Sequence, residues 1–338
     1  LIRITNGAIE PLFGVYMRNL FLVATCLLCS FPTCVPLSAE QPGKDDPRAR
    51  LDSLSRRIDA DSDDWVARLE RAGRLADLDR YEEALIDLAH VIRIRPTEPY
   101  AYVQRGALYL RLKAPLKALL DYNRALSNDS KCYPAYVNRS SVYALLGSFD
   151  DALRDCDSAI RLKSDDPNAY FNRAVIHLQR GDHDKSIGDL DKAEKFCPKS
   201  SYSLTLRAVC LNKKRDYGHA DELFQKAAAT TPLFDSTLRE YAWFLATCPD
   251  PKYRNGGKAV ELAQAASKLA HPPMSADLLE ALAAAYAETG AFEKAIHFQE
   301  KALASPRSSG LIYNTRAAEA RLELYQSKTK FREGFVFD

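Results

Sequence analysis

Residues 99–132 read PYAYVQRGALYLRLKAPLKALLDYNRALSNDSKC, and residues 133–166 read YPAYVNRSSVYALLGSFDDALRDCDSAIRLKSDD. Laid one over the other, Tyr102 falls on Tyr136, Arg105 on Arg139, Tyr109 on Tyr143, Ala118 on Ala152, and Asp121 on Asp155. The same 34-residue step carries the arginine back to Arg71 and on to Arg173 and Arg207. Two small-residue columns keep the step as well: Ala84, Ala118, Ala152, Ser186, Ala220, and Val91, Ala125, Ala159, Ala193, Ala227. Inside one unit Tyr102, Gly106 and Tyr109 lie at i, i+4 and i+7, one stripe of an α-helix, and Ala118, Tyr122 and Ala125 repeat the spacing on a second. Between them runs a short turn, Leu112-Lys113-Ala114-Pro115, which becomes Leu146-Gly147-Ser148-Phe149 and then Arg180-Gly181-Asp182-His183. Glycine there favours the left-handed conformation that ends a helix. Each unit is therefore read as two antiparallel helices. One such pair cannot bury its apolar face alone, so the units stack into an all-α solenoid.

With these positions in place, the units resemble tetratricopeptide repeats. That family has an aromatic, then Leu-Gly, Tyr, Ala, an aromatic, Ala and Pro at fixed places in 34 residues. The second unit carries Tyr102, Gly106, Tyr109, Ala118, Tyr122 and Ala125, and the third Tyr136, Tyr143, Gly147, Ala152 and Ala159. Tyr170, Gly181, Ala193 and Pro198 mark the fourth. Looser versions precede it (Tyr81, Ala84, Pro96) and follow it (Ala208, Tyr217, Ala220, Phe224, Ala227, Pro232). Ser140 and Ala174 replace the helix glycine, and His177 replaces a Tyr. The resemblance implies a right-handed superhelix with a concave, partner-binding face.

Working outward, a sixth unit follows with an enlarged turn, Cys248 to Gly257, and a seventh is regular through Leu279, Ala283, Tyr286, Gly290, Ala295 and Ala302. About seven pairs are thus expected over 63–310, at about 65–98, 99–132, 133–166, 167–200, 201–234, 235–275 and 276–309. A capping helix over Ile312 to Tyr325 and a tail complete 311–338. Residues 236–334 also resemble a subgroup of repeat proteins from planctomycete bacteria, a likeness that carries no activity with it.

Ahead of the repeats, Met17-Arg18-Asn19 and an apolar run from Leu20 to Leu37 end in Ser38-Ala39. That pattern reads as a secretory signal peptide cut after Ala39, with translation starting at Met17 and 1–39 being leader. A single N-terminal membrane anchor is the alternative. Residues 40–62 are polar and charged and read as a linker, weakly helical from Arg48 to Ile58. Export permits disulfides, but the spacing of Cys132, Cys156, Cys197, Cys210 and Cys248 pairs none of them and fits small buried residues.

The 338 residues carry a net charge of +2, which gives no support for nucleic acid or an anionic membrane as partner. The six histidines, His90, His177, His183, His219, His271 and His297, are scattered, with no zinc spacing, calcium loop, phosphate loop or nucleophile motif. No catalysis, cofactor, metal or small-molecule substrate is expected. Gly256-Gly257 is read as freeing the enlarged turn.

Two constellations remain. Arg71, Arg105, Arg139, Arg173 and Arg207 run beside an acidic column, Asp87, Asp121, Asp155 and Asp189. Opposite charges of one period read as a structural ladder of ion pairs, Arg139 reaching Asp155 or Asp121, rather than a row of cations for an acidic ligand. By the family resemblance, the groove is lined by Leu69, Val103, Val137, Phe171 and Thr205, then Gly73, Ala107, Ser141, Val175 and Val209. Tyr100, Tyr202, Gln104, Asn138 and Asn172 stand nearby. Asn138 is present, but Asn168 and Asn172 stand where the chaperone-binding members need basic residues, so no carboxylate clamp is expected. Such a groove suits a peptide held by apolar anchors, its backbone satisfied by side-chain amides. The same side chains could instead pack between first helices. The expected function is a non-catalytic scaffold or adaptor, exported to the periplasm or secreted, that binds a protein or peptide. The alternatives are a holdase-like assembly factor for envelope proteins and a non-catalytic subunit of an enzyme complex.

Overall fold

The computed structural model describes residues 47–198, 200–231, 233–270, 274–305 and 315–334. The expected leader, the start at Met17, the alternative membrane anchor, residues 40–46 of the linker and Pro232 lie outside them. The chain divides into two compact units, meeting at Ile176 and His177. The described residues form helices and no strand.

The N-terminal unit begins with a departure from the sequence reading. The second half of the expected linker is helix α1 (Pro47–Ala60), and Leu51, Leu54 and Ile58 are buried. Leu54 and Ile58 pack with Ala67 of α2 (Trp65–Asp77), and Leu51 with Ala72 and Leu75 of the same helix. Leu54 is one 34-residue step before Leu88, so α1 stands where the second helix of a preceding repeat would stand. It covers the first repeat rather than tethering it, as a solenoid end requires.

Helix pairs follow: α2 with α3 (Tyr81–Ile94), α4 (Pro99–Arg111) with α5 (Pro115–Asn128), and α6 (Tyr133–Leu145) with α7 (Phe149–Leu162). The unit ends within α8 (Pro167–Gln179). The periodic small residues sit where they were expected: Ala84, Ala118, Ala125, Ala152 and Ala159 are fully buried.

The turn inside each pair is built the same way. The amide of Ala114 donates to the Tyr109 carbonyl at 2.7 Å, Ser148 to Tyr143 at 2.8 Å and Asp182 to His177 at 2.9 Å. This is the bond pattern of a helix closed by a left-handed residue. Glycine fills that place at Gly147 (φ 78°) and Gly181 (φ 80°), but Asp79 (φ 58°), Lys113 (φ 56°) and Arg215 (φ 63°) adopt it too, at the same 34-residue step. A left-handed non-glycine residue costs about 1–2 kcal/mol, offset in part by the backbone entropy glycine loses, so Lys113→Gly should stabilise the chain by about 0.5–1 kcal/mol. The reverse change, Gly147→Ala, should destabilise it. Urea midpoints decide, and a Lys113→Gly chain less stable than its parent would sink the argument.

Arginine wires neighbouring helices together. Arg71 Nε and Nη2 donate to Asp87 at 2.7 and 2.8 Å, Arg105 to Asp121 at 2.8 and 2.7 Å, and Arg139 to Asp155 at 2.7 and 2.7 Å. Asp155 is therefore the Arg139 partner. A third nitrogen points sixteen residues backward: Arg71 Nη1 to Ser55 Oγ at 3.1 Å, and Arg139 Nη1 to Asn123 Oδ1 at 2.7 Å. Arg173 Nη1 likewise meets Asp157 at 2.5 Å. The forks of Arg71 and Arg139 thus join the second helix of their own repeat to the helix sixteen residues behind. The tyrosine columns flank the latter: the Arg139 guanidinium lies 5.7 Å from the Tyr136 ring centre and 5.6 Å from that of Tyr143.

The C-terminal unit holds α9 (His183–Phe196), α10 (Ser201–Lys213) with α11 (Tyr217–Ala228), α12 (Asp235–Thr247) with α13 (Gly256–Leu269), α14 (Ala276–Glu288) with α15 (Phe292–Ala304), and α16 (Thr315–Gln326). Here the ladder changes at its last arginine, Arg207. Asp189 is buried and meets Lys192 Nζ at 3.3 Å and His177 Nε2 at 3.8 Å. Sixteen residues beyond Arg207 stands Leu223, so the regular partner is missing, and Arg207 reaches back to Asp191 at 2.7 Å and Glu194 at 2.9 Å on α9.

The enlarged turn between α12 and α13 carries a short 3-10 helix, Pro251–Tyr253. It is pinned by the Asn255 amide on the Leu245 carbonyl at 2.9 Å and by Arg254 on the carbonyls of Cys248 and Pro249 at 3.0 and 2.9 Å. Gly256 does not loosen this turn, as its sequence suggests. A Cβ there would stand 3.2 Å from the Glu288 carbonyl carbon, so the glycine permits a close approach to α14.

Candidate functional site

The groove positions of the N-terminal unit divide into two sets. Val103, Val137, Asn138, Phe171 and Val175 are buried, taken up in packing between helices. Asn172 is committed as well: its Nδ2 donates to the Val137 carbonyl at 3.0 Å and the Ser141 hydroxyl at 2.9 Å, on the preceding first helix. In the C-terminal unit Thr205 is wholly buried, its hydroxyl donating to the Ser201 carbonyl at 2.7 Å and lying 2.9 Å from Thr237 Oγ1. Thr205 is therefore a core hydroxyl and not a groove wall.

The remaining positions come together between α2 and α4. Leu69, Gly73, Gln104 and Ala107 line an open depression of about 440 Å³, floored by Ala72, Ala76, Leu88 and Leu108 and edged by Glu70, Arg74, Asp77 and Arg111. Nothing stands within 4 Å of where a Gly73 Cβ would be, so the glycine keeps the depression open. Tyr100, at the start of α4, is half exposed. The side-chain amide oxygen of Gln104, Oε1, is buried and has no hydrogen-bond partner. Leaving such an acceptor unmade costs about 1–3 kcal/mol. A donor arriving with a ligand would recover part of that.

The rim has no single sign. Glu70 is held by Arg50 at 2.6 Å. One nitrogen of Arg111 donates to the Ala76 carbonyl at 2.9 Å. Arg111 also lies 6.0 Å from the Tyr81 ring centre. An apolar floor, an unpartnered amide oxygen on a lining residue and mixed charges at the edge suit a peptide segment better than a small anion.

Asp77 and Arg111 were not singled out from the sequence. The signal was present, since they extend the stripes 69, 73 and 103, 107 by one more helical turn. The thiols are not set up as nucleophiles: burial pushes Cys156 up to about 12 and Cys210 and Cys248 up to about 11. Among the described residues no three His, Cys, Asp or Glu side chains gather as a metal site would need.

Comparison with known proteins agrees with this architecture. The Tetratricopeptide repeat family models match residues 138–201 and 276–308. A tetratricopeptide repeat protein from Parabacteroides merdae superposes with a TM-score of 0.57 at 19% identity, over 78% of this chain and 98% of that one. Yeast Tom70 gives 0.58 at 16% identity, over 92% of this chain and 69% of its own. Pseudomonas aeruginosa pilF gives 0.51 at 16% identity, over 64% and 95%. Comparison with curated protein sequences finds no match. The repeat spacing, the helix pairs and the two family matches together make this chain a tetratricopeptide-repeat protein.

Proposed function

We propose that the chain is a non-catalytic scaffold that binds a peptide or protein segment in the depression between α2 and α4. An apolar depression lined by Gln104, whose side-chain oxygen has no partner, carries this reading. An extended ligand supplies the missing donor from its backbone, and its apolar side chains cover Leu69, Ala107 and Leu108. The leader reading of residues 1–39 places this work outside the cytoplasm, as part of the same proposal.

Gly73 offers the test, because a side chain there enters open space. Peptides selected from a display library on the parent chain should bind a Gly73→Phe chain at least about tenfold more weakly, about 1.4 kcal/mol, with the urea midpoint no lower than the parent's. Equal affinity for both chains would rule the depression out.

A second reading, a holdase for apolar segments, draws on Ile86, Leu116 and Leu120, exposed to 67%, 65% and 69% on second helices. Broad suppression of aggregation, lost on changing these three to Ser, would favour it over the scaffold.

A further inference from the structure

Beyond α16 the chain turns at Lys328 (φ 56°), and residues 330–333 lie against the ends of three successive first helices of the C-terminal unit. The register is regular. Lys213 closes α10 and Thr247 closes α12 one 34-residue step later, while Glu288, past the enlarged turn, closes α14.

Each helix end holds one part of the segment. On α14, Glu288 meets Arg332 Nη2 at 2.8 Å, and its carbonyl accepts from Lys330 Nζ at 2.8 Å. On α12, the Thr247 carbonyl accepts from the Glu333 amide at 2.8 Å, and the Phe331 ring lies 5.7 Å from the Trp243 ring. On α10, Asn212 Nδ2 donates to Glu333 Oε2 at 2.9 Å, and Lys213 Nζ pairs with the other oxygen. Arg321 of α16 covers both rings, 5.7 Å from Trp243 and 5.6 Å from Phe331, and is held by Glu280 at 2.5 Å.

A tail that merely finished the core would need only its apolar contact. Here an aromatic pocket is followed by an acidic group for a base, a main-chain acceptor for an amide, and a base with an amide for a carboxylate. We propose that this track is a binding site for a partner protein's peptide segment carrying an aromatic–basic–acidic triplet. In this chain its own Phe331-Arg332-Glu333 fills it. The site lies in the C-terminal unit and does not depend on the depression between α2 and α4.

The tether to α16 is short, so the segment competes at an effective concentration on the order of millimolar, and a free peptide binds with an apparent affinity reduced by the fraction of open sites. The test uses a fluorescent peptide of sequence Thr-Lys-Phe-Arg-Glu-Gly and the full chain. Anisotropy should show it binding a Phe331→Ala, Glu333→Ala chain at least about tenfold more tightly than the parent. Adding Lys213→Glu to that chain should remove the gain, and a peptide with Lys in place of its Glu should recover it.

The proposal is overturned if the double variant keeps its helical circular dichroism and binds the peptide no better than the parent. It is overturned equally if the charge swap has no effect. Should the double variant lose its helices, Glu333→Gln alone, which leaves Phe331 seated, is read in the same way: tighter peptide binding than the parent supports the site, and no change rejects it.

Discussion

Replacing Arg139 with leucine should destabilise the chain by about 3–5 kcal/mol, while replacing Arg139 and Asp155 together by leucine should recover most of that loss. Asp155 is only 4% exposed, and Arg139 supplies two of its hydrogen bonds. Alone it is a buried charge without a cation. Even with its partner present, burial lifts the Asp155 carboxyl above its ordinary range, outweighing the hydrogen bonds and charge of Arg139 that pull it down. Desolvation wins on the Asp155 side of this rung. On the Arg139 side burial pulls the guanidinium down, but the hydrogen bond and charge of Asp155 raise it on balance, so the firm contribution of the pair is the register it fixes. The folded state holds the Asp155 proton more tightly than the unfolded chain does. This group's contribution is accordingly full below the unfolded carboxylate range and is lost as pH rises through the folded value. Urea denaturation of both single variants and the double decides the matter: a double variant no more stable than the worse single one would refute the account. Arg139→Lys should behave like a partial deletion, because an ammonium cannot reach Asp155 bidentately and Asn123 at the same time.

That rung shows why much of the molecule was legible before its structure was known. Two columns of one period and opposite sign fix which helices meet, and Arg71, Arg105 and Arg139 all reach the aspartate sixteen residues on. The rule fails at Arg207 because Leu223 replaces the acid, and the guanidinium then takes what lies behind it. Helix α1 was harder to read. Leu51, Leu54 and Ile58 keep a helical stripe, but four arginines and two aspartates in the same fourteen residues hide it in composition. The Phe331-Arg332-Glu333 contacts have no periodicity at all. They depend on where a turn after α16 returns the chain, which local sequence does not encode. The groove list fell between these cases. The stripe located Gly73, Gln104 and Ala107, whereas the burial of Val137, Phe171 and Thr205 is set by how closely adjacent helices pack.

Close packing is also the basis of the second large effect. Gly106→Ala should cost about 2 kcal/mol, overpacking of about 1–3 kcal/mol less the gain of up to about 1 kcal/mol that alanine brings to a helix interior. A Cβ at Gly106 would lie 2.7 Å from Cε1 and 2.9 Å from Cζ of Tyr122. That ring is fully buried against Ala118, Ala125 and Ala135, so it has nowhere to retreat. The repeat itself suggests the remedy. One unit on, Ser140 faces Cys156, and two units on the same places are Ala174 and Leu190, so a larger residue on the first helix goes with a smaller one on the second. Tyr122→Leu should therefore cost several kcal/mol in the parent, where it leaves a cavity, and less in the Gly106→Ala chain, with a coupling of about 1–3 kcal/mol. Additive losses in that cycle would mean the ring relaxes and the steric argument is wrong. Gly73 is the control on a neighbouring first helix. Its Cβ position is empty, so Gly73→Ala should stabilise the chain by up to about 1 kcal/mol through helix propensity alone. Two helical glycines thus respond to the same substitution with opposite sign. The distance to the facing side chain, not the residue type, decides which.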